Sequence, residues 1–223
     1  MTKAGDFAQL IYQLLPSVRK YVNHRLTLAE KKGLIEAGLY QTDDVVDEAL
    51  LKVYQSYVDH GFVDSKAVKI ALFQAVNQVL NQLIAKEAPL ADAVSTEELY
   101  EAELSELFEI ERLTVDGDGE LVFAEEIDEK EYPVKEPTVW ILEKDLLDEL
   151  IEKLELDKSL LQTDSQKKQA AARYVTLKTQ TRIFIDLVAF GGLELDEAAE
   201  VVGITPGQAK IVLGKVKEAL VKS

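Results

Sequence analysis

The sequence predicts an all-α protein. Glycine and proline are sparse, 11 and 5 among 223 residues, and apolar residues recur at three- and four-residue spacing through most of the chain, which places them on one face of a helix. A third observation is the run Ala199-Glu-Val-Val-Gly203-Ile-Thr205-Pro206. It holds a glycine where a helix should stop, a threonine able to cap the next, and a proline at the first helical position, where a missing N–H has no consequence. Cysteine is absent, so neither a disulfide framework nor a thiolate metal site can form. The two histidines, His24 and His60, lack partners at ligand spacing and read as packing or surface residues; no metal or cofactor is expected. No apolar run reaches the length of a membrane span, and a cytoplasmic location is expected.

In the first helix, Phe7, Leu10, Ile11, Leu14, Leu15, Val18, Tyr21 and Val22 form the apolar stripe, Pro16 is expected to kink or divide it, and Arg19, Lys20 and Arg25 fall on the outer side. Thr42 followed by Asp43 and Asp44 reads as an N-cap with acids in the first turn of a helix reaching about Tyr57. Its buried stripe is Val45, Val46, Ala49, Leu50, Val53 and Tyr54, with Asp44, Asp47, Glu48 and Lys52 opposite. A third helix spans about Ser65 to Lys86, with Val68, Leu72, Ala75, Val76, Val79, Leu80 and Leu83 inside. Its outer positions are mainly the amides Gln74, Asn77, Gln78, Asn81 and Gln82. Residues 1–87 thus describe a bundle of three or four helices.

The net charge of -16 is concentrated in the middle of the chain. Residues 1–87 carry ten Lys or Arg and ten Asp or Glu, residues 88–165 six and twenty-five, and residues 166–223 nine and six. Because screened fields fade over about 8 Å at physiological salt, the last segment can present a positive surface despite the overall sign. The acidic segment reads as a helix from Glu97 to Arg112, a small β-hairpin from Leu113 to Ala124, a linker from Tyr132 to Pro137 and an amphipathic helix from Val139 to about Leu156. Asp116, Asp118 and Glu120 belong to a turn, since the loop lacks the glycine and glutamate of a calcium-binding EF-hand. The carboxylates have no histidine, nucleophile or phosphate cradle beside them, so a binding protein is expected and not an enzyme.

Beyond Gln166 come Lys167, Lys168, Arg173, Lys178 and Arg182, then Ile183, Phe184, Leu187, Val188 and Phe190 on one helical face, ended by Gly191-Gly192. A helix from Leu193 to Val202 and another from Pro206, with Ile204, Ala209, Val212, Leu213, Val216 and Leu220 as its apolar stripe, make a helix-turn-helix.

Taken together, Leu14-Leu-Pro16-Ser-Val-Arg-Lys-Tyr-Val-Asn-His-Arg-Leu26, Asp43-Asp44-Val-Val-Asp47-Glu48-Ala-Leu-Leu-Lys52-Val-Tyr54 and Thr179 through Gly203 resemble a bacterial RNA polymerase sigma factor of the extracytoplasmic-function class. The resemblance implies two helical domains joined by a linker: a region 2-like bundle over residues 1–87, an acidic linker or insert over 88–165 with the hairpin, and a region 4-like helix-turn-helix over 166–223. It implies polymerase binding through Asp44, Asp47, Glu48 and Lys52, and DNA binding in the major groove through Thr205, Gln208 and Lys210, with Lys215 and Lys217 nearer the backbone. In the third helix only Phe73 and Lys86 remain of the family's promoter-melting chemistry, while Asn77, with the neighbouring amides, can hydrogen-bond bases but neutralises no phosphate. The implied function is to direct core RNA polymerase to promoter DNA for transcription initiation, with an anti-sigma factor as a further partner. The alternative is a sigma-like regulator that acts by binding polymerase or an anti-sigma factor and has little DNA binding of its own. Under either, the acidic segment is a candidate competitor for the basic C-terminal face.

Overall fold

A computed structural model describes residues 4–62, 64–87 and 144–221. Among them are eight α-helices and no strand. The expected acidic helix, hairpin and linker between residues 97 and 137, and the first turn of the helix expected from Val139, lie outside the described residues. No helix among the described residues is long and apolar enough to cross a membrane.

Helix α1 runs from Ala4 to Lys31 straight through Pro16. The N–H that proline lacks would have bonded the Tyr12 carbonyl, and Pro16 and Tyr12 both lie on the exposed side, where water replaces that bond. Helix α2 spans Thr42–His60, with Gln41 in the cap position and no side-chain cap bond. Thr42 is therefore not the cap that the sequence suggests; its hydroxyl lies 3.5 Å from the Asn23 side chain. Helix α3 spans Ser65–Glu87, and Asp64 accepts the Ala67 N–H at 2.8 Å at its start. The three pack on one another around Val18, Tyr21, Val22, Val45, Val46, Ala49, Leu72, Val76 and Leu80.

Helix α4, Lys144–Lys153, buries Leu147 and Leu150 and packs on α6. This end of the acidic stretch is therefore part of the C-terminal core. Helix α5, Asp164–Thr176, begins in a capping box made by Thr163 and Gln166, which satisfies two terminal N–H groups reciprocally. Helix α6, Thr179–Ala189, is buried on every side: Ile183, Phe184, Ile185, Asp186 and Leu187 are consecutive and all inaccessible, as for a helix at the centre of a core. Helices α7, Leu195–Val202, and α8, Pro206–Val221, pack on each other, α7 also on α6 and α8 also on α5.

The described residues belong to one compact unit, because α7 also packs along α3. Gly191 allows that approach: a Cβ there would lie 2.6 Å from the Leu187 carbonyl oxygen and 3.1 Å from the Phe73 ring.

Deeper in the same interface, Tyr21, His24 and Arg25 of α1, with the half-buried Asn77 of α3 beside them, lie near Tyr174 of α5 and Asp186 of α6. The Tyr174 hydroxyl donates to Asp186 Oδ1 in a short hydrogen bond and lies 2.7 Å from His24 Nε2. Tyrosine has one hydroxyl proton, so the oxygen that gives it to Asp186 accepts from His24, which fixes Nε2 as the protonated ring nitrogen. Arg25 donates to the Tyr21 hydroxyl at 2.8 Å and to Asn77 at 3.3 Å, and Tyr21 donates to Asn77 at 2.5 Å. Arg25 is thus buried, not on the outer side of α1 as helical spacing suggests.

Replacing Gly191 with alanine should lower stability by about 1–3 kcal/mol through overpacking. Gly214→Ala, whose added methyl meets nothing within 4 Å, should raise it by roughly 0.4–1 kcal/mol through the unfolded state; urea unfolding of the two variants measures both.

Candidate functional site

The outward face of α2 carries Asp44, Asp47 and Glu48, all exposed. Lys52 is half-buried, 3.3 Å from Glu48 one helical turn away, and donates to Gln82 of α3 at 3.2 Å. The acids therefore stay in water, while the lysine leans back on α3. Along the same helix Leu51, Tyr54 and Val58 are exposed by 70%, 56% and 59%. Tyr54 therefore leaves the buried stripe in which its spacing places it, and an acidic patch runs on into an apolar one. Its ring reaches toward Phe7, 6.4 Å away between centroids.

At the other end, Gly203 closes α7 in the left-handed conformation, φ 79° and ψ 26°, with its N–H on the Ala199 carbonyl. The Ile204 N–H reaches the same carbonyl at 2.9 Å, the pairing that ends a helix with glycine one residue past it. Thr205 Oγ1 then accepts the Gln208 N–H at 3.2 Å, and the Gln208 side chain accepts the Thr205 N–H at 2.7 Å. The turn and the start of α8 at Pro206 thus follow the expectation from sequence.

The proposed DNA-facing residues fare differently from one another. Thr205 and Gln208 satisfy the cap of α8, so the Thr205 hydroxyl and Gln208 Oε1 are engaged with the helix terminus. Lys210 is exposed beside Ile211, which is exposed by 49%. Lys215 is half-buried, and Lys217 lies 3.7 Å from Glu155. Lys86 is exposed at the end of α3, 3.5 Å from Glu87. Phe73 is fully buried, edge-on to Tyr21 at 5.7 Å, and Asn77 is held by Tyr21 and Arg25. In this arrangement neither can stack on or pair with a base: the ring that the sequence assigns to melted DNA fills the core between α1, α3 and the α6–α7 turn.

Sequence reasoning missed Lys66 and Lys69, on the first turns of α3. Lys66 donates to Asp196 at 2.7 Å with Glu200 3.9 Å away, and Lys69 pairs with Glu197 at 2.5 Å. The bond to Asp196 holds the Lys66 ammonium above its ordinary pKa and the Asp196 carboxyl below its own. The signal was available as two lysines three residues apart, which share a helical face.

The chain matches no family model, and no curated protein or solved structure matches it at a significant level.

Three displaced pKa values give the interface a pH signature. Burial, and next the neighbouring Arg182 guanidinium, push Lys32 down to about 8, while its ammonium donates to the Val175 carbonyl at 2.7 Å. Burial drives Tyr21 up to about 12 and Tyr174 well above its usual value. Between pH 8 and about 10.4, the ordinary lysine value, the unfolded chain holds the Lys32 proton more tightly, so stability rises with pH. Above about pH 10, where free tyrosines ionise, the unfolded state loses protons that Tyr21 and Tyr174 retain, and stability falls. Thermal unfolding by circular dichroism should show the rise in the wild type, no such rise in Lys32→Met, and the fall in both.

Proposed function

We propose that the protein is a sigma-like transcription-initiation factor that docks on core RNA polymerase through the acidic face of α2 and carries α7–α8 as a promoter-reading helix-turn-helix. The observation that carries the reading is the outward, solvated presentation of Asp44, Asp47 and Glu48. Burial does not call for acids in that pattern, and it occurs in a chain that also ends in a capped helix-turn-helix. In this reading the protein is a binding factor and not an enzyme: α2 holds polymerase, and Lys210 at the exposed start of α8 faces the major groove, where lysine donates to guanine. Thr205 and Gln208 set the pitch and start of that helix, and Lys215 and Lys217 lie toward the phosphates.

A second reading is favoured by the burial of Phe73 and the engagement of Asn77. A sigma-like protein without an accessible base-stacking ring would act through protein contacts, by occupying polymerase or an anti-sigma factor, and would bind DNA weakly.

Core polymerase should retain the wild-type protein in a pull-down, and the double variant Asp47→Lys/Glu48→Lys should lose roughly tenfold or more of that affinity through like-charge repulsion across the contact. Failure of the wild type to associate would refute both readings where they invoke polymerase. Salt-dependent promoter binding by the polymerase complex, abolished by Lys210→Glu, selects the first; polymerase binding without it selects the second.

A further inference from the structure

The contact that joins residues 4–87 to residues 144–221 is polarised. Lys20 pairs with Glu149, His24 faces Tyr174 and Asp186, and Lys32 donates to the Val175 carbonyl. Lys66 bonds Asp196 and approaches Glu200, Lys69 bonds Glu197, and the Gln74 amide lies 3.4 Å from the Glu200 carbonyl. In each of these links the first group supplies the cation or donor and the second supplies the anion or acceptor. Residues 1–87 hold equal numbers of acids and bases, so composition does not impose that direction. Lys20, Lys32, Lys66 and Lys69 lie on the side that meets residues 144–221. Lysines in a row beside side-chain amides form the surface that a nucleic-acid backbone neutralises.

We propose that residues 144–221 close over a nucleic-acid-binding face of residues 4–87, with α7 as a built-in competitor. Asp196, Glu197 and Glu200 occupy Lys66 and Lys69 as the phosphates of a single strand would. The choice of nucleic acid as the competing anion rests on the sigma-like reading above; the masking itself rests on the contacts. The outer rung is built to exchange. The Lys66, Asp196 and Glu200 side chains are 44%, 55% and 59% exposed, so water and salt screen their attraction, and a flexible polyanion with many phosphates can displace three carboxylates. The inner rung, Lys69 with Glu197, is 20% and 13% exposed and, with the buried contacts around Asp186, holds the closed state when no competitor is present.

The test uses the full chain with Asp196→Asn, Glu197→Gln and Glu200→Gln. These changes remove charge and keep the helix, since glutamine at position 197 can still accept the Glu194 N–H that Glu197 now accepts at 2.9 Å. Two quantities are read: hydrogen exchange of α3 and α7 amides, and affinity for a labelled single-stranded DNA oligonucleotide without polymerase. Exchange should quicken in both helices, and affinity should rise by roughly 5- to 150-fold, the usual range for coupling between two binding events. Adding Lys66→Gln and Lys69→Gln in the same background should abolish the gain. Unchanged exchange would show that the ladder does not hold the groups closed. Faster exchange without tighter binding, or a gain that survives loss of the two lysines, would refute the masking. Because polymerase is absent, failure of its binding to α2 would leave this result intact.

Discussion

A carboxylate without access to water sits at the centre of the molecule. Asp186, on a helix otherwise made of core residues, is fully buried, and a charge in that position is costly unless it is hydrogen-bonded and compensated. Part of the compensation comes from across the fold. The Tyr174 hydroxyl donates to one oxygen, His24 lies 3.6 Å from the same atom, and the Arg25 guanidinium interacts with it through space. His24 and Arg25 belong to the first helix and are separated from Asp186 by more than half of the sequence. Pulling the two helical groups apart would strand this charge, so their relative placement is tied to a single buried acid.

Around that centre the contacts change character with depth. Inside are the tyrosines, the histidine and the packed glycine turn, where Gly191 lets the α6–α7 connection touch Phe73. At the surface the same interface becomes an ionic ladder between α3 and α7 that salt can weaken. Helix α7 thereby serves two purposes: it supports α8 in the helix-turn-helix, and it covers a lysine face of α3. The face of α2 that carries Asp44, Asp47 and Glu48 lies outside this interface among the described residues and is exposed.

Local features were legible from residues alone. The helix stop at Gly203, the cap Thr205 and the start of α8 at Pro206 are decided by groups within a few positions of one another, so sequence reasoning could find them; Gln208, read as groove-facing, closes the same cap. The acids of α2 were assigned to the accessible side for the same reason, as the apolar positions around them fix the helix orientation. Where spacing misled, a distant element had intervened. Arg25 lies on what looks like a polar side of α1, but Tyr21 and Asn77 give it buried partners. Tyr54 fits the apolar stripe of α2, yet it stands out beside Leu51 and Val58. Phe73 could have been an exposed stacking ring until the α6–α7 turn covered it.

By itself the sequence determined the helical class, the helix ends set by Gly203 and Thr205, the accessible acids of α2 and the sidedness of α8. These depend on backbone hydrogen bonds and side-chain periodicity within one or two turns. Only the tertiary structure decided that α3 faces α7, that His24 and Arg25 of α1 lie near Asp186, and that Lys20, Lys32, Lys66 and Lys69 meet acceptors of the second group. Such pairings join residues more than 120 positions apart, and no spacing rule within a helix carries information over that separation.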